Sequence, residues 1–193
     1  MTRTRQAVLL FVVVAATGAC ALFRRTPETH YYVLAVPGTP SGRLPAPVRV
    51  RPFAVDPAFA GERMAYSTGA NRLDRYTFHR WAADPRSVVA TAVRDYLERA
   101  APADGGPPLD VQGTVRALLE VDGAGDAVAG ELALDIEVRH GEAVLLHRGY
   151  VEREPAAART PEAVAAALSR ALGRVLNDVV TQLRSAQPVD PRP

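Results

Sequence analysis

The sequence predicts an α+β fold: a largely antiparallel sheet with two helices packed on one face, in the order β-β-β-β-α-β-β-β-α. Three observations carry this. Segments such as "VRVRPFAV" and "ELALDIEVR" alternate apolar and charged residues with period two, the pattern of a strand with one wet face. Two other segments repeat apolar residues at helical spacing behind a polar cap, at Asp84 and Thr160. Proline- and glycine-rich runs separate these elements, and 193 residues need no second domain or internal repeat.

Taken in order, "HYYVLAV" (His30 to Val36) is rich in β-formers and stops at "PGTPSGRLPAP". "VRVRPFAV" (Val48 to Val55) makes a second strand, half-buried by its alternation. "RMAYST" and "DRYTFHRW" form a hairpin around Gly69 to Leu73. Asp84 caps the first helix and Pro85 suits its first turn, after which Val88, Val89, Ala92, Val93, Tyr96 and Leu97 make an apolar stripe for the sheet. A three-stranded meander follows: "LDVQGTVRALLEV", "AVAGELALDIEVR" and "AVLLHRGYVE". Its middle strand points Leu132, Leu134, Ile136 and Val138 to the core, and Glu131, Asp135, Glu137 and Arg139 to water or a partner. The last helix runs from Thr160 to about Ser185; its span of roughly 39 Å matches the length of the strands beneath it. The domain is therefore 30–185, with a flexible tail over 186–193.

Composition narrows the function. All 23 basic residues are Arg and none is Lys, which removes Walker-type phosphate lysines, Schiff-base amines and Ser-Lys dyads. The one cysteine, Cys20, makes no internal disulfide, and no Cys/His spacing suits zinc. The four histidines fall on separate strands and turns, so no metal or other cofactor is expected.

Cys20 has a different explanation. Arg3 and Arg5 precede a ten-residue apolar stretch (Ala7 to Ala16), then Gly18 and Ala19 lead into the cysteine. This is the layout of a secretory signal peptide (1–19), and its end resembles the bacterial lipobox, with Thr17 where leucine is usual. An uncleaved membrane helix over Ala7 to Phe23, or an ordinary cleaved signal, are the competing readings. The preferred one makes Cys20 a lipidation site and 20–29 a lipidated tether. Processing would leave 21 Arg against 21 Asp and Glu, so a nucleic-acid partner is not expected.

Other motifs are weak. "GAGDAV" near Gly123 lacks the third glycine of a dinucleotide loop and sits between antiparallel strands. Ser41 in "GTPSG" is not in a nucleophile elbow. The pairs Glu131/Asp135 and Asp135/Glu137 share a strand face, where solvation explains them. The aromatics Tyr66, Tyr76, Phe78 and Trp81 cluster in and after one hairpin; core packing is the default, and a partner- or lipid-facing patch is the functional alternative.

A lipobox, then "HYYVL", "VRVRPFAV", "RMAYS" and "YTFHRWAADPRSVV" resembles the ABC-type transport auxiliary lipoprotein family, whose relatives include paraquat-inducible C-type lipoproteins. The resemblance runs from about His30 to Leu183, and its most specific pieces are the spacing of Tyr76, Trp81 and Pro85 and the Pro52-Phe53 strand end. Ser67 departs from the arginine the family often carries there. The resemblance implies a non-enzymatic lipoprotein on the periplasmic side of the outer membrane. Its partner would be a mammalian-cell-entry (MCE) protein of an ABC system that moves lipids or other hydrophobic molecules between the two membranes. A homo-oligomer fits as well. The alternative is a structural lipoprotein that escorts an outer-membrane complex. A lipid-anchored hydrolase lacks a nucleophile-base arrangement.

Overall fold

The computed structural model describes residues 27–102, 106–123, 125 and 127–185. The strands are β1 (His30–Tyr32), β2 (Val48–Val50), β3 (Ala54–Val55), β4 (Arg63–Ser67), β5 (Asp74–Trp81), β6 (Leu109–Asp122), β7 (Val128–His140) and β8 (Ala143–Pro155). A 3-10 turn covers Pro57–Phe59; the helices are α1 (Pro85–Glu98) and α2 (Pro161–Ser185). The expected signal peptide, the lipidation site expected at Cys20 and the expected tail lie outside the described residues.

One eight-stranded sheet runs in the order β1-β5-β4-β6-β7-β8, with β2 and β3 also paired to β6. The expected α+β class holds, but the sheet is mixed rather than largely antiparallel, and five strands rather than four precede the first helix. β6–β7, β7–β8 and β4–β5 are antiparallel. β1–β5 and the pairings of β2, β3 and β4 with β6 are parallel. The cause is the 14-residue β6. One of its edges pairs with β7, and the other takes β2, β3 and β4 end to end. Those pairings join segments separated by α1, and local turn signals carry no information about them.

Two strands are also shorter than their sequences suggest. After Tyr32 the chain leaves the ladder and crosses the helices: Ala35 N donates to Ser169 Oγ (3.1 Å), and Ser41 N donates to Asn177 Oδ1 (3.0 Å). Ser41, the weak nucleophile candidate, thus ties a loop to α2. The Val48–Val55 strand splits in two at Pro52, which has no N–H to donate, and Phe53 turns into the core at 3% exposure.

Both helices cover one face. Val89, Val93, Tyr96 and Leu97 of α1 are fully buried, as are Leu132, Leu134, Ile136 and Val138 of β7 beneath the helices. Asp84 caps α1, its Oδ1 accepting from Arg86 N at 3.1 Å. The α2 stripe of Val164, Leu168, Leu172, Val175, Leu176, Val179 and Leu183 is buried along its length. Each such side chain contributes roughly 1.5–3 kcal/mol, so this helix dominates the core. It sits very close to β7 at Gly130, where an added Cβ would meet Leu168 Cγ at 2.7 Å. No helix among the described residues is long and apolar enough to cross a membrane.

Candidate docking site

The four hairpin aromatics do not form one exposed patch. Trp81 ends β5 with its side chain in the core at 1% exposure, so it meets no partner without unfolding. Tyr66 and Tyr76 lie against each other, ring centroids 4.7 Å apart, on the helix-facing side. The Tyr76 hydroxyl donates to Glu120 Oε2 at 2.8 Å, satisfying a carboxylate that is 8% exposed. Burial, then that hydrogen bond and the Glu120 charge, hold the Tyr76 phenol far above its ordinary value. Only Phe78 faces out, at 38% exposure.

Sequence reasoning missed the ring cluster that Tyr76 joins. His30 and His79 are direct partners on parallel strands, and their rings stack at 5.5 Å. Tyr32 Oη lies 2.9 Å from His79 Nδ1, and Tyr76 meets the His79 ring edge-on at 5.3 Å. Two of the four histidines therefore converge. Burial and the neighbouring His30 push the His79 imidazole below its ordinary value. The signal was present in the sequence as residue types, but only the β1–β5 pairing brings them together.

The other face of the sheet carries no helix. There β7 and β8 present Glu131, Ala133, Asp135 and Glu137, and His147, Val151 and Arg153. The acidic pairs are neutralised in part: Arg116 reaches Asp135 at 3.2 Å, while Arg139 and Gln112 reach Glu137 at 3.4 and 2.9 Å. Among the described residues no group of three or more His, Cys, Asp or Glu is placed to hold a metal ion.

A small second core interrupts this polar face. Ala65, Ala117 and Leu119 are buried there against Phe59, Val121 and Ala133. Beside it a groove of 630 Å³ opens between the β4–β5 turn and the end of β6, with Phe59, Leu119 and Val121 on its apolar side and Arg72, Glu131 and Arg153 on its polar side. A second groove of 540 Å³, lined by Ala127, Val128, Ala129 and Pro155, shares Asp122 and Arg153 with the first. Gly123 N closes the β6–β7 loop on Ala127 O at 2.8 Å, so the "GAGDAV" segment is a hairpin connection. Val151, 75% exposed, lies on β8 opposite Ala133. β8 ends the sheet, and no strand pairs with its outer edge among the described residues. An apolar strip with an arginine rim beside an open strand edge suits a protein surface or an amphiphile.

The comparisons agree with the architecture. A crystal structure of protein XCC0632 from Xanthomonas campestris, a DUF330 protein, superposes with a TM-score of 0.69 at 19% identity, covering 82% of this chain and 97% of that one. A second crystal structure, of an uncharacterized protein, superposes at 0.62 and 13% identity over 81% and 99% of the two chains. At such identities these likenesses show the fold. No curated protein matches the chain. The model of the ABC-type transport auxiliary lipoprotein component matches residues 32–180, from the end of β1 into the last turns of α2. With that match spanning most of its length, the chain belongs to the family of ABC-type transport auxiliary lipoprotein components.

Proposed function

We propose that this protein is a lipid-anchored, periplasm-facing accessory of an MCE-type ABC transport system, which moves lipids or other hydrophobic molecules between the inner and outer membranes. The observation that carries the reading is the family match over 32–180 together with the signal-and-cysteine layout that ends at Cys20. Cys20, acylated, holds the domain on the periplasmic side of the outer membrane, and Ala21 after it is not the aspartate that retains lipoproteins in the inner membrane. The domain acts as a binding module.

The partner surface in this reading is the helix-free face around Val151, Ala133 and Leu119, with its two adjoining grooves. The inward packing of Trp81, Tyr66 and Tyr76 leaves Phe78 as the exposed member of the four aromatics. A photo-crosslinking residue at Val151, in cells, should trap the MCE protein. Adducts confined to outer-membrane assembly proteins would favour the escort role. For the anchor, intact mass should show residues 1–19 absent and acyl chains on Cys20; an unmodified thiol would end that part of the proposal.

A further inference from the structure

The most exposed aromatic of the described residues lies at the N-terminal end of the domain. Tyr31 is 63% and Val33 61% exposed. Tyr32 packs into the core, so its strand neighbour Tyr31 points to the helix-free face, and the exposed Val33 follows where the chain leaves the ladder. Phe78, 38% exposed, lies two residues before Arg80 on the same strand. By register, Tyr31 pairs with Arg80, and Arg80 pairs with Arg63. A row Tyr31–Arg80–Arg63 thus crosses β1, β5 and β4, with the exposed Phe78 and Val33 close to it in sequence.

The two arginines are an unusual pair. Like charges directly opposite each other on adjacent strands are destabilising. Glu62 offsets them only at 3.8 Å from Arg80. The Arg80 Nε is buried and finds no acceptor among the described residues. Anionic oxygens over this row would meet the solvent-exposed parts of the two arginine side chains and relieve the repulsion.

We infer that Tyr31, Val33, Phe78, Arg63 and Arg80 form a membrane-contact patch, by which the domain rests on the phospholipid headgroups of the leaflet that holds its anchor. This rests on the proposed acylation of Cys20. Tyr31 lies eleven positions beyond Cys20, a distance of at most about 40 Å for any conformation of the chain between them. The tether therefore keeps the patch within reach of the bilayer at high effective concentration, so weak contacts suffice. Tyrosine and phenylalanine at headgroup depth, beside arginines that meet phosphates, are the side chains such an interface favours.

The test uses the acylated full chain in vesicles of phosphatidylethanolamine and phosphatidylglycerol whose acyl chains carry bromine close to the headgroup. The native Trp81 is buried and gives a constant background. A Tyr31→Trp variant should lose most of its added emission relative to unbrominated vesicles. Val33→Trp should behave alike, and Val151→Trp, at the opposite edge of the sheet, should be unchanged. Adding Arg63→Glu to Tyr31→Trp should restore emission, as should high salt. Vesicle-bound Tyr31→Trp protein whose added emission stays unquenched would overturn the patch. A blue shift without bromine quenching would do the same and point to a second copy of the chain as the occupant. Protein that does not float with the vesicles would remove the anchor, and the patch with it.

Discussion

At the residue scale, the hairpin aromatics show how far residue type falls short of role. Trp81, Tyr76 and Phe78 read alike in sequence, yet one is core, one is a partner to a buried carboxylate, and one faces out. Trp81→Ala should cost about 3–5 kcal/mol and abolish folding before any docking defect can be measured. Phe78→Ala should leave stability within about 1 kcal/mol in urea titrations followed by Trp81 fluorescence. His79 carries a pH signature. Its folded-state value lies below the ordinary 6.5, so between the two the unfolded chain binds the proton more readily. Stability should be full above pH 6.5 and fall as pH drops from there through the folded value. His79→Gln should flatten that part of the profile, and an unchanged slope would show that the stacked pair is not its source.

At the scale of elements, the strongest local signals hold, and the weak ones fail for identifiable reasons. Asp84-Pro85 and Thr160-Pro161 mark helix starts because capping chemistry is local. The meander is legible because each of its strands turns directly into the next, as at Gly141 with φ +60°. The β1 and β2–β3 segments extend too far in the sequence reading because alternation cannot register that Pro52 breaks a ladder or that Ala35 finds a serine on α2. The seat of α2 on β7 yields a sharp prediction. Gly130→Val must displace Leu168 and should cost roughly 1–3 kcal/mol. Gly149→Ala, whose Cβ would meet only the end of the Asp135 side chain at 3.2 Å, should be near neutral. Across the other side of α2, Arg170 and Arg174 hold Glu154 at 2.8 and 2.5 Å. The Arg170 hydrogen bond, against the opposing effect of burial and with Arg174 adding to it, keeps the Glu154 carboxyl below its ordinary 4.5. Its contribution is therefore present above pH 4.5 and lost as pH falls through the lower folded value. Glu154→Gln should cost at most about 1 kcal/mol at neutral pH, because the pair is partly solvated. The gap to the unsubstituted protein should close in acid.

At the scale of the whole molecule, the helix-covered face supplies stability and the bare face supplies surface. That division is legible in β7 alone, where leucines and carboxylates alternate. The small apolar core within the bare face is not, because Phe59, Ala65 and Leu119 come from three elements joined only by the parallel β4–β6 pairing. The same pairing sets β1 and β8 at opposite edges of the sheet. At the usual twist of roughly 20–25° per strand, five steps would turn the two edges roughly 100–125° apart. Tyr31 can then look toward a membrane while Val151 looks toward a partner. The central claim is that this domain serves an MCE-type transporter from a lipid anchor. Its most direct test is to purify the protein from native membranes in mild detergent through a C-terminal tag and identify what accompanies it. The expected result is an MCE protein with its permease and ATPase. Recovery with only an outer-membrane assembly, in detergent that keeps a control MCE complex intact, would contradict it.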